Sequence, residues 1–489
     1  MASTDDILTS AEAGGNVIRG SAIRVAGNTA GVVVGLGTAA LLLRHLGVAE
    51  SGRYLTVMSL LAIASSITDS GLNITGSRSL ALRNSDDRSK LLANLVTQRL
   101  LITPVVLLPF VLFAVLAGYP QRMVVGTLLA GTGLFIVSVI DAVLLRLTVE
   151  LRNIGLAFID FLKYVVLFVG VALLVALDAH LTPFFAVQIV IGLVAAIATA
   201  LIVGPDAFLR PRFDLSEQSS LLRNALPVAT AFVLGQVYFR IVIVLMSLIS
   251  SARQTGYFGG SLRAMESLVN IPILVASVAL PMLAMAARND HARLRYAIEG
   301  LSEGAVVAGV LVIIVTARAA EPVMALIGGP SFRPSGGVLR IQVVALLFIA
   351  LYQIWTVSLV ALGRQRDLIL TNVVALVGVV IFVFLLVPPF GARGGAMASV
   401  LGDMLLASLM YWRLHLSVGR TRLRFGFLGR VVVAAALAGI VLVIPDIPDL
   451  AAAALAGIVF LGVGQAIGML PDELWAALGR YGWLARRRI

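Results

Sequence analysis

Long runs of apolar residues, separated by short polar segments, fill most of the chain. A helix needs about 20 mostly apolar residues to cross the hydrocarbon layer of a membrane. The runs predict 14 transmembrane helices, at residues 21–43, 54–76, 100–117, 123–145, 154–177, 183–203, 225–249, 256–286, 299–317, 338–361, 368–387, 395–412, 431–445 and 450–470. The pattern therefore predicts an all-α membrane protein.

Two of the predicted spans have unusual lengths. The span 431–445 is short, whereas 256–286 is too long for a straight crossing and must tilt, bend or extend beyond the membrane. Pro272 and Pro281 lie inside the long span, and proline favours bends in transmembrane helices.

The basic residues predict the orientation. With a cytosolic N-terminus, the cytosolic segments carry 25 of the 37 Lys and Arg residues and the outer loops carry 7. Cytosolic loops of membrane proteins are enriched in Lys and Arg, so both termini are expected in the cytosol. The remaining 5 basic residues lie within spans: Arg24, Lys163, Arg240, Arg263 and Arg340.

Composition agrees with a membrane protein, because 60% of the residues are hydrophobic and 13% are charged. The net charge of +12 is explained by basic cytosolic loops, so no nucleic acid is expected as a partner. The chain has no cysteine, and its 4 histidines lack the spacing of metal ligands. No cofactor and no metal are predicted.

The chain also looks duplicated. Tyr54 and Tyr257 open the second and eighth spans, and a one-residue gap places Gly52 opposite Gly256. Repeated lobes with a binding site between them are common in transporters. We predict an N-terminal lobe of helices 1–6 (1–203), a cytosolic linker (204–224), a C-terminal lobe of helices 7–12 (225–415), two further helices (416–470) and an amphipathic cytosolic tail (471–489) that contacts membrane lipids.

Several motifs in a fixed order carry a family resemblance. They are Gly52-Arg53-Tyr54, Asp69-Ser70-Gly71-Leu72, Arg78-Ser79-Leu80-Ala81, Leu226-Pro227, Tyr238 with Arg240, Gly256-Tyr257 with Arg263 and Glu266, Gly328-Gly329-Pro330-Ser331-Phe332, Ala361-Leu362-Gly363-Arg364 and Phe390-Gly391-Ala392-Arg393-Gly394-Gly395-Ala396. Over nearly its whole length the chain resembles the oligosaccharide flippases of the multidrug/oligosaccharidyl-lipid/polysaccharide exporter superfamily. One departure is Val242, where family members often carry an acidic residue.

The resemblance implies a V-shaped transporter in the bacterial cytoplasmic membrane that works by alternating access. It implies that an undecaprenyl-diphosphate-linked oligosaccharide moves from the inner to the outer leaflet for cell-surface polysaccharide synthesis. Glycosyltransferases and a polymerase of the same pathway are then expected as partners.

Basic residues inside the membrane are candidates for binding the substrate diphosphate. An arginine at the centre of a transmembrane helix costs about 2.5–3.5 kcal/mol, so it should face a partner or a wet cavity. The candidates are Arg24, Arg53, Arg240, Arg263 and Lys163. Two alternatives stay open: Arg24 extends to the cytosolic surface, and Arg53 contacts lipid headgroups.

Acidic residues inside the spans are candidates for ion coupling or gating: Asp69, Asp141, Asp160 and Glu266. The alternative is a structural role. Asp160 and Lys163 are three residues apart on one helix, as are Arg263 and Glu266, and such pairs partly neutralise each other. A lone carboxylate can equally cap a helix or pair with a residue of another helix.

Other functions are weighed against the flippase. A lipid II flippase differs only in the sugar, and a drug/cation antiporter of the same superfamily should have an acidic cavity. A membrane-embedded glycosyltransferase or polymerase should have catalytic groups in a large outer loop, and the longest one, near 318–337, has no convincing acid–base set. We therefore expect a transporter rather than an enzyme, driven by an ion gradient, the membrane potential or consumption of the product.

Overall fold

The computed structural model describes residues 11–69, 72–150, 152–204, 212, 214–289, 291–419 and 425–469. It describes only the backbone of residues 11–29, 32, 72–75, 78, 85, 86, 215–218, 220–222, 224, 225, 227, 228, 231, 289, 291 and 425. Thirteen α-helices and one short 3-10 helix occur in these segments, and no strand occurs among the described residues. The α-helices are α1 (Ala11–Asp69), α2 (Leu72–Ala81), α3 (Ser85–Leu116), α4 (Gln121–Val149), α5 (Asn153–Ala176), α6 (Leu181–Val203), α7 (Leu215–Ile249), α8 (Ala252–Asn289), α9 (His291–Gly328), α10 (Ser335–Ala361), α11 (Gln365–Val418), α12 (Phe425–Val443) and α13 (Asp449–Ala466). The predicted all-α membrane fold is confirmed.

Two helices are far longer than a membrane is thick. α1 has 59 residues and α11 has 54, which is about 80–90 Å of helix against a hydrocarbon layer of about 30 Å. Each is broken at a single glycine in a left-handed conformation, Gly47 with φ 70° and Gly391 with φ 54°. Glycine adopts this conformation without a steric penalty, which explains the position of both breaks.

Twelve helices among the described residues are long and apolar enough to cross a membrane. Because α1 and α11 each count once among these twelve, counting their arms separately gives 14 long segments. This number equals the number of predicted spans. The chain is a multi-pass membrane protein, while the exact number of crossings and the cytosolic location of the termini stay predictions.

The third predicted span, 100–117, began too late. α3 starts at Ser85, so Arg99 lies inside the helix rather than in a loop. The polar stretch before residue 100 suggested a loop, but its side chains are buried inside the protein: Asn94, Thr97, Gln98 and Arg99 are at most 7% exposed. Polar residues can therefore belong to this helix because they face protein rather than lipid.

Two other predicted connections are partly helical. α9 extends to Gly328 and α10 starts at Ser335, so most of the outer loop predicted near 318–337 is absent. α7 begins at Leu215, within the predicted linker 204–224. The predicted tail 471–489 lies outside the described residues.

An arginine of α9 binds the turn between α12 and α13, the two helices that follow the predicted lobes. Arg318 forms a 2.9 Å ion pair with Asp449 at the start of α13. Its guanidinium also donates hydrogen bonds to the carbonyls of Leu442 and Ile447, near the end of α12. These contacts fix the turn between α12 and α13 against α9.

The chain divides into two compact units. The first contains Met1–Gly260, Leu326–Phe332 and Val379–Gly395, and the second contains Ser261–Ala325, Arg333–Gly378 and Ala396–Ile489. The predicted lobes were defined by an internal repeat, whereas these units are defined by compactness. The boundaries of the lobes therefore stay a prediction.

The first unit contains a close helix crossing at the glycines that the repeat pairs. A Cβ atom on Gly52 would lie 2.4 Å from the Ala252 carbonyl oxygen and 2.6 Å from the Gly256 nitrogen. A Cβ atom on Gly256 would lie 1.9 Å from the Val48 carbonyl oxygen. The backbones of α1 and α8 are therefore in direct contact. The repeat itself stays a prediction.

Small apolar clusters hold the first unit together. One cluster joins α2, α3 and α4 around Leu80, Leu91 and Leu145, and another joins α4, α5 and α6 around Leu147 and Ile159. Large apolar side chains also lie on the outside, among them Val105, Leu108, Phe158, Val169 and Leu201. Exposed apolar side chains on spanning helices are expected, because lipid is the surrounding solvent.

Candidate functional site

Lys163 of α5 bridges two carboxylates in the first unit. Its Nζ lies 3.2 Å from Oδ1 of Asp141 on α4 and 3.6 Å from Oδ1 of Asp160 on its own helix. The three side chains are accessible, with 21%, 29% and 53% of Lys163, Asp141 and Asp160 exposed. A charged group exposed on a membrane helix must contact water, a headgroup or a wet cavity.

The group lies well inside the two helices. α4 and α5 are consecutive helices joined by the short segment 150–152. Asp141 lies 8 residues before the end of α4, and Asp160 and Lys163 lie 7 and 10 residues after the start of α5. At about 1.5 Å per residue, the three are about 10–15 Å from the helix ends. This distance is about a third to a half of the hydrocarbon thickness.

A buried arginine holds Asp69 at the end of α1. Nη1 of Arg99 lies 3.0 Å from Oδ1 of Asp69 and also donates a hydrogen bond to the Thr68 carbonyl. The Arg99 side chain is 2% exposed, whereas that of Asp69 is 39% exposed. Ser65 is 3.5 Å from the other carboxylate oxygen. Arg99 therefore binds one oxygen of the Asp69 carboxylate, while part of the Asp69 side chain stays accessible.

The two groups lie on neighbouring helices, because α1, which carries Asp69, packs against α4, which carries Asp141. We call Asp69, Arg99, Asp141, Asp160 and Lys163 the charged cluster. Its members come from α1, α3, α4 and α5, and its three carboxylates and two basic groups leave one negative charge in excess.

The predicted roles of these residues change with this geometry. Lys163, which was predicted to bind substrate, has carboxylates of Asp141 and Asp160 beside it, and its role in binding substrate stays a prediction. The prediction that Asp160 and Lys163 form a local pair agrees with their 3.6 Å contact. Asp69 and Asp141, which had no partner near them in sequence, each find one on another helix.

Arg53 lies at the first turn of the second arm of α1, close to the break at Gly47. It pairs with Glu50 through a short hydrogen bond and is 31% exposed. Arg122 of α4 lies 3.8 Å from the same carboxylate. This small group sits beside the glycine crossing, far along α1 from Asp69. The structure therefore separates Arg53 from the charged cluster.

A tyrosine in the turn between α3 and α4 forms a hydrogen bond with a distant helix. The hydroxyl of Tyr119 is 2.5 Å from the Ser247 hydroxyl of α7. Burial raises the pKa of Tyr119, so the phenol is protonated and available as a donor at neutral pH. Tyr119 serves to attach the turn to α7.

The remaining candidates lie elsewhere. Arg240 is half-buried on α7, with its guanidinium 5.3 Å from the Phe239 ring centre. In the second unit, Nη1 of Arg263 is 2.7 Å from Oε2 of Glu266, and the two side chains are 40% and 16% exposed. The pair predicted from their spacing is therefore formed. The side chain of Arg24 lies outside the described residues.

Sequence reasoning missed Arg99. Its position just before the predicted span 100–117 placed it in a loop. A signal existed, because apolar residues precede it as well as follow it in Leu91-Leu92-Ala93-Asn94-Leu95-Val96. Asp69 and Arg99 are 30 residues apart, so no local spacing rule could pair them.

No group of three or more His, Asp or Glu side chains in the described part of the chain has metal-binding geometry. In the charged cluster, Lys163 and Arg99 occupy the space near the carboxylates. The arrangement can hold or exchange a single positive charge, such as a proton, by changes in ion pairing.

Comparison with known families assigns the chain. The model of the family described as polysaccharide biosynthesis protein matches residues 17–287, more than half of the chain. The chain belongs to this polysaccharide biosynthesis protein family. The matched region contains the whole charged cluster and Arg263. No curated protein sequence shows significant similarity to the chain.

Solved structures share the fold. A lipid II flippase, MurJ, in an inward-closed conformation matches with a TM-score of 0.73 and 11% identity, over 91% of this chain and 98% of that chain. An inward-facing multidrug resistance MATE family transporter matches with 0.62 and 15%, over 78% and 94%. The eukaryotic MATE transporter AtDTX14 matches with 0.55 and 15%, over 83% and 97%.

The predicted membership in a polysaccharide family is confirmed by the family match. At 11–15% identity the solved structures show the fold alone. The chain therefore combines membership in a polysaccharide biosynthesis family with a fold that is also found in a lipid II flippase and in multidrug transporters.

Proposed function

We propose that the protein flips an undecaprenyl-diphosphate-linked oligosaccharide from the inner to the outer leaflet of the bacterial cytoplasmic membrane by alternating access. The observation that carries the proposal is the placement of accessible charged side chains inside membrane helices of a polysaccharide biosynthesis family member. Charges at this depth are costly unless they act on a polar substrate or ion. The lipid tail stays in the bilayer while the polar headgroup needs such a path.

In this mechanism Arg263 contacts the substrate diphosphate. It lies 11 residues after the start of α8, about 16 Å along the helix. Its side chain is 40% exposed even though Glu266 holds one of its nitrogens. A guanidinium has five donors, so it can pair with a carboxylate and donate to phosphate oxygens as well. The partner Glu266 orients the arginine and reduces its cost in the membrane.

The first prediction concerns Arg263→Gln. The variant loses a charged hydrogen bond to phosphate of about 1.5–3 kcal/mol, which corresponds to about tenfold or more in binding. We expect flipping of a fluorescent undecaprenyl-diphosphate oligosaccharide in proteoliposomes to slow by that factor. Arg24→Ala, tested in the same assay, examines the other arginine that is proposed to bind the diphosphate.

Arg333→Gln is the matched control, because Arg333 is 68% exposed and lies 3.8 Å from Glu321 at a helix end. Its flipping rate should equal that of the wild type. Equal rates for Arg263→Gln and the wild type would remove the site assignment and keep the flippase. Wild-type protein that flips lipid II only would favour the lipid II flippase, and efflux of small cations without lipid flipping would favour the antiporter.

We further propose that the charged cluster couples flipping to a cation gradient. Its excess carboxylate charge lies within the membrane helices, where a proton or another monovalent cation would neutralise it. Neutralising Asp141 frees Lys163 to pair with Asp160 alone, which loosens the link between α4 and α5. Cation binding would thereby favour one arrangement of these helices over the other.

The second prediction concerns Asp141→Asn, which mimics the neutralised state. We expect proteoliposomes with this variant to flip substrate at a rate that no longer increases when a proton or sodium gradient is imposed. Flipping without a gradient should continue, because the substrate-binding residues are unchanged.

Glu150→Gln serves as the control on the same helix, since Glu150 pairs with Arg146 at 2.9 Å at the end of α4. This control should keep the response to the gradient. A full response in Asp141→Asn would separate the cluster from coupling and leave it a structural role.

A further inference from the structure

The second unit carries arginines near the start of α9 and at both ends of α11, and two of them pair with one carboxylate. Asp367, at the start of α11, lies 3.2 Å from Nε of Arg364 and 3.4 Å from Nη1 of Arg413. Arg364 also donates a hydrogen bond to the Ser417 hydroxyl near the end of α11. The two ends of α11 are therefore held together by this ion-pair group.

The start of α9 is also attached to this group. Nη2 of Arg295, which follows the start of α9, donates a 3.2 Å hydrogen bond to the carbonyl of Val418, the last residue of α11. A basic side chain at this position satisfies a terminal helix carbonyl. Arg366 is exposed beside Arg364 and Asp367. We call Arg295, Arg364, Arg366 and Arg413, with Asp367, the arginine patch.

The arginine patch has four positive charges and one negative charge. Asp367 is 17% exposed, whereas Arg364 is 46% exposed, and Arg295 and Arg366 are exposed as well. An ion pair to Asp367 and hydrogen bonds to Ser417 and Val418 limit the motion of three of the guanidiniums. A positively charged surface whose donors are already oriented loses less entropy when it binds an anion.

Exposed aromatic and aliphatic side chains adjoin the arginine patch. Trp412 is 52% exposed, with Arg413 5.0 Å over its ring, and Leu416 is 60% exposed one turn further along α11. Tyr296 follows Arg295 and is 64% exposed. Trp and Tyr favour the headgroup layer of a membrane. A surface that combines arginines with exposed aromatic and aliphatic side chains is typical of the headgroup layer.

We propose that the arginine patch binds the phosphate of an anionic membrane phospholipid, with the acyl chains lying along Trp412 and Leu416. Arginine is suited to phosphate because its planar fork can donate two parallel hydrogen bonds. The segments that carry the arginine patch are those predicted to face the cytosol, where anionic lipid attracts basic groups. The bound lipid holds the start of α9 and both ends of α11 together.

The test compares the full-length protein in detergent with added phosphatidylglycerol or phosphatidylcholine. The unfolding temperature of the wild type should rise more with phosphatidylglycerol. In Arg364→Gln/Arg366→Gln most of this difference should disappear. Arg366→Gln alone, which removes no contact to Asp367, should fold normally and lose part of the difference.

The matched control is Arg333→Gln/Arg340→Gln, which removes two arginines that also pair with one carboxylate, Glu321. It should keep the full difference between the lipids. An equal loss in the control, or no preference for phosphatidylglycerol in the wild type, would overturn the proposal. Inorganic phosphate that reproduces the stabilisation would also overturn it, because the site would then bind a free anion.

Discussion

Gly256→Ala is expected to lower the unfolding temperature sharply and to abolish flipping. The added Cβ would lie 1.9 Å from the Val48 carbonyl oxygen, a backbone atom that cannot rotate away. α8 must therefore separate from α1, and overpacking of this kind costs about 1–3 kcal/mol or more. Thermal unfolding of the purified variant in detergent, followed by the flipping assay, measures both effects.

Gly235→Ala is the comparison variant, for which the expected change in stability has the opposite sign. Gly235 lies inside α7, and no described atom lies within 4 Å of a Cβ placed on it. Because alanine favours a helix over glycine by about 0.5–1 kcal/mol, this variant should be equally or slightly more stable. If Gly256→Ala unfolds at the same temperature as Gly235→Ala, the two helices do not touch at their backbones.

Three segments of the first unit meet at the glycine crossing. It joins the second arm of α1 to the start of α8 within the first unit, next to the Arg53–Glu50 pair. Gln254 of α8 further accepts a 2.9 Å hydrogen bond from the backbone of Ala392, just after the break in α11. Three segments thus meet where backbones contact directly, with little room for side chains.

Asp69→Asn is expected to be the most damaging change within the charged cluster. It leaves the guanidinium of Arg99, which is 2% exposed, without the carboxylate that balances its charge. Removing one partner of a buried ion pair costs about 3–5 kcal/mol. We expect a value near the lower limit, about 3 kcal/mol, because Asp69 itself is 39% exposed and water screens the pair. Thermal unfolding measures the loss.

Arg99→Met should be better tolerated. It removes the buried charge, and the accessible Asp69 can be hydrated or protonated. The double variant Asp69→Asn/Arg99→Met should therefore be more stable than Asp69→Asn alone, since no buried charge is left without its counter-ion. A double variant as unstable as the sum of the two single variants would show that the ion pair is not formed.

Much of the fold could be predicted from the sequence because lipid imposes a simple rule on length and polarity. Runs of about 20 apolar residues predict helices wherever the chain crosses a membrane. The helices α4, α5 and α6 agree with the predicted spans to within a few residues. The family resemblance and the paired glycines Gly52 and Gly256 were also readable from the sequence alone.

The helix ends were harder to predict where polar residues are buried by protein. Arg99 and its polar neighbours belong to α3, although their composition is typical of a loop. Hydropathy measures the cost of contact with lipid. These side chains do not contact lipid, so hydropathy does not predict where they lie. The same reason explains why α9 continues through Arg318, whose charge is balanced by Asp449.

By itself, the sequence determined the class of the protein, the positions of most of the long apolar segments and most of the charged residues that lie inside them. Only the tertiary structure decided which charges meet: Asp69 with Arg99, and Lys163 with Asp141, across 30 and 22 residues. The physical reason is that apolar run length is a local property of the chain. The pairing of charges depends on which helices become neighbours, and many arrangements of the same helices satisfy the membrane equally well.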